Sequence, residues 1–377
     1  MSNSSSLFSV LTPLDLTYIS ASMDIYLYGY TLVMFIGLIG NICQIITFSQ
    51  KFMQSLSTGI LFLAMSISDT IYILQCLYVV IVYGFKISDR SNYGQTCQFR
   101  HFMNYLSTNF SAWMLTTITC DRWIRSRYPI KAKQICRPRI AVYAIIVALT
   151  FDFVLNFHLL TPMFGQIAPG VTTNCGANRS YPTYTYFYTY FWPIIVTLSV
   201  TIVPACIMIY FLISIAHTIK TRRNRVQPIG STAANPHERR RAHYLHRQML
   251  ILMFATLILF FLTTIPVALF RLTFSIFNIQ QSFSFSLLLA SIFGLITTIN
   301  YSLNFYLHSL TSNLFRKQFF HCFPCVITIT SRNHNRNLET GNSMQRYVTR
   351  APQGTITQLM QQQLYHNETD LNCTTMT

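Results

Sequence analysis

Seven apolar runs, each roughly 20 residues long, constrain this chain more than any other feature. They fall at about 26–48, 59–83, 98–123, 140–162, 188–216, 249–274 and 285–307. Lipid offers no partners for backbone N–H and C=O groups, so segments of this length must be helical. The alternating ten-residue pattern of an outer-membrane barrel is absent from the sequence. Composition agrees: only 10% of the residues are charged, against about 25% in a soluble domain. The expected fold is an all-α membrane protein, a seven-transmembrane helix bundle plus a short interfacial eighth helix. It divides into an outer tail over 1–23, a bundle with its interfacial helix over 24–330, and a disordered cytoplasmic tail over 331–377.

Orientation follows from the basic residues. Lys86, Arg90, Arg100, Arg179 and Arg271 lie on the N-terminal side, and the other 22 of 27 Lys and Arg lie opposite. The N-terminus is therefore expected outside a multi-pass protein of the plasma membrane. It lacks a basic n-region, so no cleaved signal peptide is read and the first span acts as the insertion signal. The net charge of +17 faces an anionic inner leaflet, and no nucleic-acid partner is needed to explain it. Arg222, Arg223, Arg225 and Arg239-Arg240-Arg241 crowd the loop over 220–247. They read either as a retention signal alone or also as a partner surface.

Of ten cysteines, Cys97 and Cys175 are the two placed in the oxidising space, and a disulfide is expected between them. Cys322 and Cys325 follow an amphipathic stretch from Phe315 and read as palmitoylation sites. Asn3 and Asn178 begin outer glycosylation motifs. Asn109 matches the motif within a span, and Asn367 and Asn372 match it on the inner side, so these three are expected to stay unmodified.

Polar groups inside spans default to functional hypotheses. Asn41, Asp69, Asn300, Asn304 and His308 form a candidate intramembrane polar network, its members satisfied by one another, by water or by an ion. Asp152 and His158 face either a ligand cavity or a neighbouring helix. At the inner end of the third span, Asp121-Arg122-Trp123 sets an acid beside a base, followed by Arg125, Arg127 and Pro129.

These residues together resemble the rhodopsin-like (class A) G protein-coupled receptors, over roughly residues 26–319. Gly40-Asn41 fits the first-span signature and Asp69 the second-span aspartate. Arg122 stands 25 residues after Cys97, which is the family's spacing. Asp121-Arg122-Trp123 stands for Asp-Arg-Tyr, and Pro204 and Pro266 for the kink prolines of spans five and six. Asn304-Phe305-Tyr306-Leu307-His308 stands for Asn-Pro-x-x-Tyr. The run from Asn300 to Tyr306 is similar to invertebrate FMRFamide-receptor-like peptide receptors. Departures are Phe305 for proline, His308 for tyrosine, Thr264 for the toggle tryptophan, Leu212 for tyrosine, and a fourth span without tryptophan.

The resemblance implies a receptor that passes extracellular ligand binding to a heterotrimeric G protein, with Arg122 paired to Asp121 at rest and released on activation. It implies a weak resting lock, because His243-Tyr244-Leu245-His246-Arg247 lacks the family glutamate. It leaves room for a sodium ion near Asp69 and implies no other cofactor. Asn104 stands where amine receptors carry aspartate, and span seven has no lysine for retinal. A peptide is the expected ligand, with Asn104, Asp152 and Arg271 as pocket candidates. The tyrosine-rich run 181–190 suits either a peptide-binding mouth or an interfacial belt. A chemosensory receptor for small molecules is the alternative, and a transporter the lesser one. A transporter would need repeats or several midplane acids, and only Asp69 and Asp152 qualify. No catalytic residue, metal site or enzymatic activity is read, because His158 and His308 are isolated.

Overall fold

The computed structural model describes residues 12–87, 94–166, 175–225, 236–277 and 283–322. Asn3, Cys325, Asn367, Asn372 and the tail over 331–377 lie outside them, as do the side chains over 222–250.

Eight helices build the described bundle. α1 runs Pro13–Phe48, α2 Ser57–Gly84 and α3 Gly94–Arg127. α4 runs Pro138–Leu160, ending in a 3-10 turn over Phe157–Leu160. α5 starts at Pro182 and ends with the segment Val203–Arg225, and α6 spans Pro236–Phe277. α7, Phe283–Ser302, bends at Leu303 and continues as Asn304–Thr311. α8 is Asn313–Cys322, with Phe315 buried beneath it and the basic Arg316 and Lys317 along its length. Short helices Lys51–Gln54 and Pro129–Ile135 form the first two inner connections.

Six of these helices are long and apolar enough to cross a membrane by length and composition. The seventh, α3, is 34 residues long but too polar to meet that measure. Its place explains this: α3 packs against α2, α4 and α5, so Ser107, Asn109, Ser111 and Thr116 are buried in protein and not in lipid. α4 is the opposite case. Within Pro138–Asn156 only Ala141, Asp152 and Asn156 are buried, while Ile140, Val142, Tyr143, Ile146 and Val147 are exposed where lipid would lie.

The outer tail expected over 1–23 is instead helical from Pro13. A capping box starts it: Thr12 Oγ1 accepts from the Asp15 N–H at 3.2 Å, and the Asp15 carboxylate accepts from the Thr12 N–H at 3.1 Å. Pro13 at the first helical position needs no donor partner. The extension packs on α7 through Tyr18 and Phe285, whose rings lie 5.5 Å apart, and through a hydrogen bond from Ser284 to Asp15.

Four apolar clusters fill the described bundle, and the two largest lie toward its two ends. The inner one gathers Phe48, Leu61, Phe62, Met65, Met114 and Phe315 from α1, α2, α3 and α8. The outer one joins Phe102, Leu159, Phe164, Trp192, Met208 and Phe260 across α3, α4, α5 and α6. Over its outer end lies a two-stranded antiparallel hairpin, β1 Phe164–Gln166 with β2 Cys175–Ala177, in the register Gln166 opposite Cys175.

Candidate functional site

Three polar constellations lie along α3. Nearest the outside, the Cys97–Cys175 disulfide ties β2 to the start of α3, with Cα atoms 5.8 Å apart. Gln98 adds a second tether, which sequence reading missed: its Nε2 donates to the carbonyls of Thr161 at 2.9 Å and Phe164 at 2.7 Å. Gly165, which follows Phe164, has φ +126° and a neighbouring Gln98 3.2 Å from where a Cβ would stand, so glycine is favoured there.

Beneath the hairpin, the tyrosine-rich run divides by face. Tyr184, Tyr188 and Trp192, spaced four apart, turn inward. The Tyr184 hydroxyl meets His158 Nδ1 at 2.8 Å, the His158 ring stands edge-on to Trp192 at 4.2 Å, and Tyr105 of α3 completes the group at 5.5 Å from Trp192. Tyr181, Tyr186, Tyr190 and Phe191 are exposed. The run therefore has one aromatic face turned into the bundle and one exposed. Asn104 lies half-buried on α3, and Arg271 is exposed near the outer end of α6. Asp152 is fully buried where α4 meets α3, away from the solvent of the mouth.

At mid-membrane the expected polar network is smaller than its candidate list. Asp69 is fully buried and accepts from Ser111 Oγ at 2.6 Å and Asn304 Nδ2 at 2.7 Å. This ties α2, α3 and α7 together. Asn41 serves a different bond, donating to the Tyr301 carbonyl at 3.1 Å, and so holds α1 to α7 at the bend. Asn300 is half-buried and makes no hydrogen bond to Asp69 or Asn304. His308 is buried among Phe62, Phe48 and Phe315, with ring centroids at 4.2, 5.8 and 5.7 Å, and its Nε2 has no hydrogen-bond partner. It belongs to the inner apolar cluster, because the helix restarts at Asn304 and turns residue 308 toward α1 and α2.

At the inner end, the ion pair expected between Asp121 and Arg122 is made by Arg125 instead. Arg125 Nε donates to Asp121 Oδ2 at 2.9 Å. Residues four apart share a helix face, whereas adjacent ones point about 100° apart. Asp121 also accepts from Ser57 Oγ at 2.6 Å and Thr58 Oγ1 at 2.8 Å, so it ties the first turn of α2 to α3. Arg125 reaches onward to Ser57 Oγ at 2.8 Å and the Cys136 carbonyl at 3.3 Å. Burial and then the Asp121 charge push the Cys136 thiol up to about 12, which keeps it protonated. Trp123 donates from Nε1 to Ser214 Oγ at 2.9 Å and stacks near Phe211 at 5.0 Å, linking α3 to α5. Arg122 is half-buried between these two anchored neighbours. His243–Arg247, expected to lack a lock for it, falls among the undescribed side chains.

Pro204 follows a π-helical turn over Leu198–Ile202, and Pro266 lies inside α6. Phe260 is buried in the outer cluster. Leu212 lines a small cavity with Thr119, Met208, Met253, Thr256 and Leu257, where α3, α5 and α6 meet one turn outward of Arg122. Asn178 is half-buried, its side-chain oxygen accepting from the Ser180 N–H at 2.9 Å. Cys322 ends α8 as a free thiol.

A family model described as 7 transmembrane receptor (rhodopsin family) matches residues 40–305. A galanin-like G-protein coupled receptor of Caenorhabditis elegans is 26% identical over 127 residues, covering 33% of this chain and 28% of that protein. The galanin receptor type 2 of Mus musculus is 24% identical over 117 residues, 31% of each chain. An FMRFamide peptide receptor of Caenorhabditis elegans is 23% identical over 130 residues, 33% of this chain and 30% of that protein. The chain thus spans about three tenths of the length of the relatives it matches.

Proposed function

Because the chain belongs to the rhodopsin family of seven-transmembrane receptors, we propose that it is a plasma-membrane receptor for an extracellular peptide. Its N-terminus faces outward, and it signals through a heterotrimeric G protein. The observation that carries the reading is the contrast between the two ends of α3. One end is bonded through Cys97 to a hairpin above an aromatic mouth. The other carries Arg122 in its last turns, next to the basic inner connection Pro129–Ile135, where Ile130 is 85% exposed beside the exposed Lys131 and Lys133. An apolar side chain standing out of a basic surface suits a partner protein and anionic lipid headgroups. The names of the relatives, galanin-like and FMRFamide receptors, favour a peptide as the ligand.

Activation is a two-state shift: a ligand that binds one arrangement of the bundle more tightly populates it. The small cavity between α3, α5 and α6 lies about one turn outward of Arg122. Outward movement of α6 would expose Arg122 to the G protein. A sodium ion near Asp69 would compete with the Ser111 and Asn304 bonds and so favour one arrangement.

The test is a peptide library applied to cells expressing the full chain with a promiscuous G protein and a calcium readout. At least one peptide should evoke a response, and Arg122→Ala should abolish it while sparing binding of the labelled peptide. An undiminished response in Arg122→Ala would remove its assigned role. Responses to small volatile molecules with none to peptides would replace this reading by a chemosensory one.

A further inference from the structure

The buried stripe of α4 carries a feature that the receptor reading does not use. Asp152 has no exposed surface, and neither of its carboxylate oxygens has a hydrogen-bond partner. Asn156 is equally buried one turn outward on the same face. Its Nδ2 donates to the Asp152 carbonyl at 2.8 Å, which leaves its side-chain oxygen unpartnered. Three acceptor oxygens therefore stand within one helical turn, and no donor reaches any of them. The Arg125–Asp121 ion pair lies far toward the inner end, and neither carboxylate oxygen of Asp152 meets a donor.

Phe151 and Phe153 flank Asp152 in sequence, and each packs edge-on against α3: Phe151 on Trp113 at 5.9 Å, and Phe153 on Phe102 at 5.5 Å. These pairs join the stretch of α4 that carries Asp152 to α3, while about half of each of the two α4 rings stays exposed on the lipid side. An ionised carboxylate in such a place costs several kcal/mol unless a positive charge accompanies it. A set made only of acceptors excludes an anion. The described residues offer no group of three or more His, Cys, Asp or Glu that would hold a metal ion through such ligands. What remains is a small monovalent cation, bound by oxygen.

We infer that Asp152 and Asn156 form a monovalent-cation site at the α3–α4 interface, separate from the Asp69 network. Sodium is the probe, because the three unpartnered oxygens from one helical turn supply the hard ligands it takes. The cation would tie α4 to the bundle at the point where its buried stripe is most polar.

The experiment uses the purified full chain carrying Asp69→Asn, so that the Asp69 network cannot contribute. Its melting temperature is compared in sodium chloride, potassium chloride and choline chloride of equal ionic strength, at several pH values. Sodium should raise it over choline by about 3 °C at ten times the dissociation constant. Adding Asp152→Asn should erase the sodium effect while leaving the protein at least as stable in choline, because the buried charge is gone. Asn156→Leu should weaken the sodium response with Asp152 intact. A melting temperature indifferent to sodium in the Asp69→Asn protein would overturn the site. So would a sodium effect that survives Asp152→Asn. A response to pH alone would mean that Asp152 carries a proton instead.

Discussion

At the scale of single residues, Asp121 shows how a motif read along the sequence differs from the same motif in space. Its acid holds Ser57, Thr58 and Arg125, so its work is to join α2 to α3 beside Arg122. The two members of the pair should then separate on mutation. Asp121→Ala leaves two hydroxyls and a guanidinium without their acceptor, a loss on the order of 3 kcal/mol. The melting temperature of the purified protein should fall by several degrees. Arg122→Ala should change it much less, and equal losses would place both residues in one structural unit. His308 makes the converse case. Its buried Nε2 has no partner and its neighbours are phenylalanines, so an apolar ring of similar shape suits the site better. His308→Phe should raise the melting temperature, and a fall would show that the imidazole is satisfied. The Asp121 motif was legible because acid, base and span end are adjacent in sequence. Its true partners were not, since Ser57 lies 64 residues away and carries no local signal.

At the scale of elements, hydropathy located the spans because burial in lipid is a property of each segment alone. It missed the start of α1, where a capping box and a proline, not apolar residues, begin the helix at Pro13. It also overlooked the π turn before Pro204. A proline clashes with the carbonyl four residues back and removes a hydrogen bond; the extra residue of the π turn over Leu198–Ile202 accommodates both. Pro204→Ala restores the donor and should let this turn relax to a regular helix. The outer part of α5 would then rotate by about 100° per residue gained, carrying Tyr184, Tyr188 and Trp192 off His158. With Trp113 and Trp123 replaced by phenylalanine, Trp192 is the remaining indole of three. Its emission should shift to the red in the Pro204→Ala protein. Unchanged emission would mean that the π turn is held by its neighbours and not by the proline.

At the scale of the whole molecule, the charge distribution and the disulfide argue for one orientation by independent routes. Positive residues retain loops on the cytoplasmic side whatever the fold, and a disulfide forms only where the compartment is oxidising. The Cys97–Cys175 bond lies at the end of the bundle opposite Asp121 and Arg125, so both criteria give the same outer face. Glycosylation supplies a third criterion that depends on neither, since it requires only that an acceptor reach the lumen on an accessible segment. Asn178 lies beside β2, on the disulfide side, whereas Asn109 is fully buried in α3. The full chain made with microsomes should therefore carry glycans at Asn3 and Asn178, and Asn3→Gln with Asn178→Gln should remove all glycosidase-sensitive mass. Sugar on Asn367 or Asn372 would invert the orientation, and with it the assignment of Arg122 to the side where a G protein waits.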